Sequence, residues 1–167
     1  MYSYNDIIKR FQGVIQGQFF GHTHRDEMHL ISNTECTYIS CYWLLFSETI
    51  TTVRDPFGFW LQTPSLTPKD SNNPSFRTVS YDVANHKLID YVQYISGLVQ
   101  AQRQGYMSWY EEYKFSKLYG VSDGYINTAA IQNAILSIFD DPIMFGAWKS
   151  NYDTQYEDPD DKLKYYC

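Results

Sequence analysis

The chain has 167 residues, with 13 Lys and Arg against 19 Asp and Glu, for a formal net charge of -6. That balance offers no basic stripe to neutralise phosphates, which argues against a nucleic-acid polymer as partner. The length suffices for one domain with a real core, and no run reaches the roughly 18 to 20 apolar residues needed to span a bilayer.

Met1 to Arg10 lacks a charged start followed by an apolar run and a small-residue cleavage site, so no signal peptide is read there. From Ser3 to Ile15 the apolar residues Tyr4, Ile7, Ile8, Phe11 and Ile15 recur at helical spacing, a stripe expected to face a core. Ser3 followed by Asp6 is a helix start signal, and Gly13 and Gly17 mark where helix gives way to strand. Gly17 to Gly21 then reads as a short buried strand, with His22 and His24 just past its end. On a loop the backbone can turn both imidazoles toward one point, whereas on a continuing strand they would face opposite sides of the sheet. Gly21 is expected to permit a sharp bend or a close approach. Histidine is the commonest metal ligand at neutral pH, so the pair is a candidate metal site; taken alone it also reads as a polar loop with two solvated histidines. Asp26 is placed to hydrogen-bond a ligand imidazole or the loop backbone, or else is a surface acid. His29 is read as structural or exposed rather than as a third ligand.

Thr37 to Phe46 is an apolar run without clear period, followed by a β-type segment, SETITTV. Gly58 to Thr63 (GFWLQT) reads as a strand, and Pro64, Pro68 and Pro74 stiffen the loop after it. Asn73, Phe76 and Arg77 are placed near the rim of the site. Arg77 either holds a phosphate bidentately or makes an internal ion pair, the second being favoured. FRTVSYD and the run from His86 to Leu98 form an antiparallel hairpin joined at Val83 to Asn85. The second run also fits a helix, but its Tyr, Val and Ile content favours strand. After Gly105 the pattern turns helical. Ser108 and Glu111 fit a capping box for a helix running to Gly120, a second helix covers about Asn127 to Phe139, and a third starts after Asp141 with Pro142 in its first turn. The 16 tyrosines and the helix aromatics are expected to pack structurally, and Glu157 to Asp161 to be a solvated face. Cys36, Cys41 and Cys167 make an odd count, free in a reducing compartment or leaving one over in an oxidising one.

The motif Gly21-His22-Thr23-His24 resembles the last metal-ligand motif of the calcineurin-like metallophosphoesterases. The fuller run Tyr4 to Glu27 is similar to their acid sphingomyelinase-like branch. So are Pro64 to Pro68, Asn72 to Arg77 with Tyr81 and Asp82, His86 to Leu98, and Trp109 to Gly120. The histidine motif alone is weakly specific; the ordered series of blocks is strongly so. Residues 31–55 depart from the family, either as a genuine extra hairpin or as a gene-model artefact.

The resemblance implies an α/β (α+β) fold: residues 1–104 as the C-terminal part of a metallophosphoesterase β-sandwich with a flanking helix, and 105–167 as a helical C-terminal subdomain. It implies a phosphodiester substrate, a sphingomyelin-like lipid or a nucleotide, hydrolysed by water activated at a binuclear zinc site. His22 would serve one ion and His24 the other, with Asp26, Asn73 and Arg77 behind them or on the substrate side. The family's remaining ligands and its leaving-group acid lie upstream in full-length members, so the chain is expected to be a portion of such an enzyme and inactive alone. Secretion or a lysosomal lumen, and peripheral membrane contact of the parent enzyme, are implied too. The contrasting expectation is a non-catalytic binding or scaffold remnant of the same fold.

Overall fold

The computed structural model describes residues 2–33, 55–69 and 72–156. Among them the architecture is α+β, with two three-stranded sheets and five helices. The 31–55 segment from Thr34 to Arg54, the three cysteines and the acidic run from Glu157 lie outside the described residues.

Helix α1 spans Tyr4–Arg10. The Asp6 amide donates to Ser3 Oγ at 3.2 Å and the Ser3 amide donates to the Asp6 carboxylate at 3.0 Å, a reciprocal cap that satisfies two orphan donors. The helix stops sooner than its apolar spacing predicts, because Phe11 leaves helical geometry at φ -109°, ψ 19° and a turn follows. Its apolar stripe is not core-facing as a whole. Ile8 is buried against Ile31 and Phe57, while Tyr4, Ile7 and Phe11 are each nearly half exposed. A helix of two turns touching a sheet on one side can bury only the residue that points at it.

Strand β1 (Phe19–Phe20) runs parallel to β3 (Gly58–Gln62), and β2 (Glu27–Ile31) pairs antiparallel on the other edge of β3, with Met28 opposite Leu61 and Leu30 opposite Phe59. The buried strand expected over Gly17 to Gly21 is instead a two-residue edge with both phenylalanines exposed. Among the described residues β1 is an edge strand, paired on one side only, by β3. The glycine that close packing needs is Gly17, where a Cβ would sit 3.2 Å from the Phe59 ring.

The second sheet has the order β4 (Ser75–Asp82), β5 (Lys87–Ile95), β6 (Tyr110–Lys114), all antiparallel. The β4–β5 hairpin turns over 83–86, as the sequence indicates. Two elements differ from expectation. Leu98–Gln104 forms helix α2, bracketed by Gly97 and by Gly105 in the left-handed region. Tyr110–Lys114 is strand rather than helix. Its backbone finds partners along the open edge of β5, with Tyr113 opposite Gln93, and that long-range ladder overrides the local capping pattern at Ser108 and Glu111. Helix α3 is then only Phe115–Tyr119.

Helix α4 (Thr128–Asp140) is capped by Asn127, whose side chain accepts from the Ala130 amide, and it buries Ala130, Ile131, Ala134, Ile135 and Ile138 on one face as predicted. Helix α5 (Pro142–Tyr152) starts with Pro142 behind the Asp141 cap. One core cluster takes Met28, Leu30, Phe59 and Leu61 from the first sheet, Leu88, Tyr91 and Tyr113 from the second, and the α4 face with Trp148. Its members come from both sides of residue 104. No helix among the described residues is long and apolar enough to cross a membrane.

Candidate functional site

His22 and His24 lie on the loop between β1 and β2, where the sequence places them. Left-handed backbone occurs at the histidines themselves, φ 103° at His22 and 64° at His24, and not at Gly21. Gly21 has open space around it. Histidine pays a steric cost at positive φ that glycine avoids, and such conformations persist only where surrounding contacts over-determine them.

Those contacts are present. Asn72, fully buried, donates from Nδ2 to the His24 carbonyl at 2.9 Å and to the Lys69 carbonyl at 3.2 Å. Arg25 donates to Asn72 Oδ1 and to Asp153 Oδ1, both at 2.6 Å, and Lys149 donates to the other Asp153 oxygen at 2.7 Å. The Thr23 hydroxyl donates to Glu27 at 2.7 Å, and Gln62 donates to both Thr23 and Glu27. The Asp26 amide donates to the Tyr152 carbonyl at 3.3 Å. The loop is thus pinned from β3, from Asn72 and from the end of α5.

Asp26 does not serve an imidazole, as its position in the sequence suggests. Its carboxylate, 5% exposed, accepts from Arg77 Nη2 at 2.7 Å and from the Tyr113 hydroxyl. Arg77 is the internal ion pair favoured above: Nε donates to Gln93 Oε1 at 2.8 Å, and the guanidinium stacks 3.9 Å from the Tyr91 ring centre. Burial works against the Arg77 charge, but Asp26 beside it raises its pKa above the usual value. Tyr91 and Tyr113 share a hydroxyl contact of 2.9 Å, and burial raises both phenols. Asn73 is also used internally rather than at an open rim. Its amide and Nδ2 donate to Thr154, and its Oδ1 accepts from the Leu98 amide, tying the 72–74 loop to α2 and the end of α5.

His29, read from the sequence as structural or exposed, is not exposed. It is buried, stacks on Trp60 with ring centres 3.6 Å apart, and sits 2.8 Å from Glu27. Burial alone would raise the Glu27 pKa, but His29 and Thr23 hold it below the usual carboxylate range. Sequence reasoning missed Asn72, Arg25 and Glu112. Asn72 and Arg25 stand inside the quoted blocks, where their polarity within buried surroundings is the only local signal.

Among the described residues no group of three or more His, Cys, Asp or Glu is arranged to hold a metal ion. A catalytic zinc takes about three protein ligands with one open position. The two imidazoles of this loop therefore do not by themselves fit a resident zinc.

Residues 59–130 match the family described as acid sphingomyelin phosphodiesterase C-terminal region. The chain is 32% identical over 124 residues to the cyclic GMP-AMP phosphodiesterase SMPDL3A of Rattus norvegicus, covering 71% of this chain and 24% of the relative. It is 34% identical over 120 residues to acid sphingomyelinase-like phosphodiesterase 3b of Homo sapiens, covering 72% of this chain and 24% of the relative. It is 30% identical over 120 residues to sphingomyelinase phosphodiesterase D of Dictyostelium discoideum, with shares of 72% and 24%. The chain thus spans about a quarter of the length of these relatives. Together these matches show that the chain contains an acid sphingomyelinase-like C-terminal portion.

Proposed function

We propose that this chain contributes the His22–His24 loop to a metal-dependent phosphodiester hydrolase of the sphingomyelinase-like kind. The observation that supports the reading best is the left-handed backbone at both histidines, held by Asn72, Arg25, Thr23 and Asp26. Strain of that kind, maintained by surrounding contacts, is characteristic of ligand clamps. In this reading His22 would serve one ion of a binuclear zinc site and His24 the other. The remaining ligands come from the part of the enzyme that the relatives carry outside the matched quarter. Asp26, Asn73 and Arg77 hold the loop and its neighbours in place from beneath and do not touch substrate.

The substrate is a phosphodiester. Relatives are named both as cyclic GMP-AMP phosphodiesterases and as sphingomyelin phosphodiesterases, so a cyclic dinucleotide and sphingomyelin are the two arms of the assay. The compartment in this reading is secreted or lysosomal.

The test is a chimera in which residues 17–156 replace the matching portion of the rat relative. Zinc-dependent phosphodiester hydrolysis is expected, lost on His22→Ala or His24→Ala. A folded, zinc-loaded chimera that hydrolyses neither substrate overturns the reading. The 167-residue chain with zinc added is expected to show no turnover.

A further inference from the structure

The β5–β6 ladder is irregular at one place. Gln93 pairs with Tyr113 and Tyr94 with Glu111, which leaves Glu112 as the extra residue of a β-bulge. Regular alternation would send Glu112 to the face opposite Tyr113. The bulge turns it inward, and both of its carboxyl oxygens are buried without a hydrogen-bond partner. It lies close enough to Asp26 and Arg77 to feel both charges. Arg77 is the cation of this cluster. Its Nη2 and Nε are used by Asp26 and Gln93, while Nη1 is buried without a partner.

A buried carboxylate with no hydrogen bond is costly unless it is paired or neutral. Arg77 is already matched by Asp26, so a second anion beside that pair is uncompensated. Tyr110 on β6 and Tyr119 on α3 also feel the Glu112 charge, and neither supplies positive charge.

We propose that Glu112 is a positioning residue that, by holding its proton, leaves Arg77 to Asp26 and so fixes the loop that carries His22 and His24. When Glu112 loses the proton, its carboxylate competes for Arg77 through the unused Nη1, and the Asp26 clamp two residues beyond His24 loosens. The proposal rests on the reading of His22 and His24 as the functional pair. Burial, then the nearby Asp26 charge, pushes the Glu112 carboxyl up to about 9 from 4.5, with Arg77 opposing. The sign follows: the folded state holds the proton more tightly than the unfolded chain, so the Glu112 contribution to stability is fully present below pH 4.5 and is lost as pH rises through about 9.

The test compares the 167-residue chain with Glu112→Gln, which keeps the shape of a neutral carboxyl. Urea unfolding across that pH window gives the ratio of their folding equilibrium constants, in which other titrations cancel. The wild-type constant is expected to fall relative to the variant by about tenfold per pH unit, one proton's worth of linkage. Backbone amide resonances of Thr23 to Asp26 in the wild type alone are expected to titrate with an inflection near the Glu112 value, an inflection that Glu112→Gln lacks. Parallel unfolding curves, or loop amides with no such inflection in the wild type, overturn the proposal. The second outcome does so even if the variant does not fold. Neither readout needs metal or turnover, so failure here leaves the hydrolase reading standing, and failure of the chimera leaves these curves unchanged.

Discussion

Two apolar clusters of very different size share the first sheet. On one face Met28, Leu30, Phe59 and Leu61 join the α4 face and the second sheet in a core that contains 15 buried residues. On the other, Ile8, Ile31 and Phe57 form a cluster of three among the described residues, beside an α1 helix and a β1 edge that leave Tyr4, Ile7, Phe11, Phe19 and Phe20 exposed. The histidine loop follows β1, yet its anchors belong to the larger side: Asp26 to Arg77 and Tyr113, Arg25 to Asp153, His24 to Asn72. The candidate site is therefore held by the well-packed body and not by the element that leads into it.

The comparison breaks if the two sides respond alike to truncation. The largest effect is expected at Arg77→Ala, which strands Asp26 as a buried, unpaired carboxylate; breaking such a pair costs about 3–5 kcal/mol. Ile131→Ala, at a fully buried position on α4, should cost about 2–5 kcal/mol through lost burial and the cavity left behind. Ile8→Ala should fall near or below the bottom of that range, about 2 kcal/mol, because few partners surround it among the described residues. Ser3→Ala removes one half of the α1 cap for about 1 kcal/mol or less. Urea unfolding of the four variants checks this order, and an Ile8→Ala loss equal to that of Ile131→Ala would erase the distinction. Native-state hydrogen exchange sharpens it. Amides of α1 should exchange through local opening, and those of α4 only through global unfolding.

Where the sequence was legible, local and long-range preferences agreed. Helix α4 shows it best: Asn127 caps it, and all five residues of the predicted apolar face are buried. The hairpin of β4 and β5 is similar, with a polar turn between β-rich runs. Legibility failed where a distant partner decided the outcome. Ser108 and Glu111 match a capping box, but the β5 edge takes Tyr110–Lys114 as a strand. Asp26 looks like a loop acid until Arg77, 51 residues away, is seen to claim it. The histidine loop was placed correctly between strands, but its left-handed backbone falls on His22 and His24, for which the adjacent glycine is no guide. Glu112 stands beside Glu111 in a run that reads as helix, and the bulge of the strand formed instead brings it inward.

The most direct test of the account is a calorimetric zinc titration of the 167-residue chain, with His22→Ala as control. No stoichiometric uptake is expected, because a pair of imidazoles with no third ligand among the described residues does not retain an ion against water. Tight capture of two zinc ions per chain, abolished by His22→Ala, would contradict it.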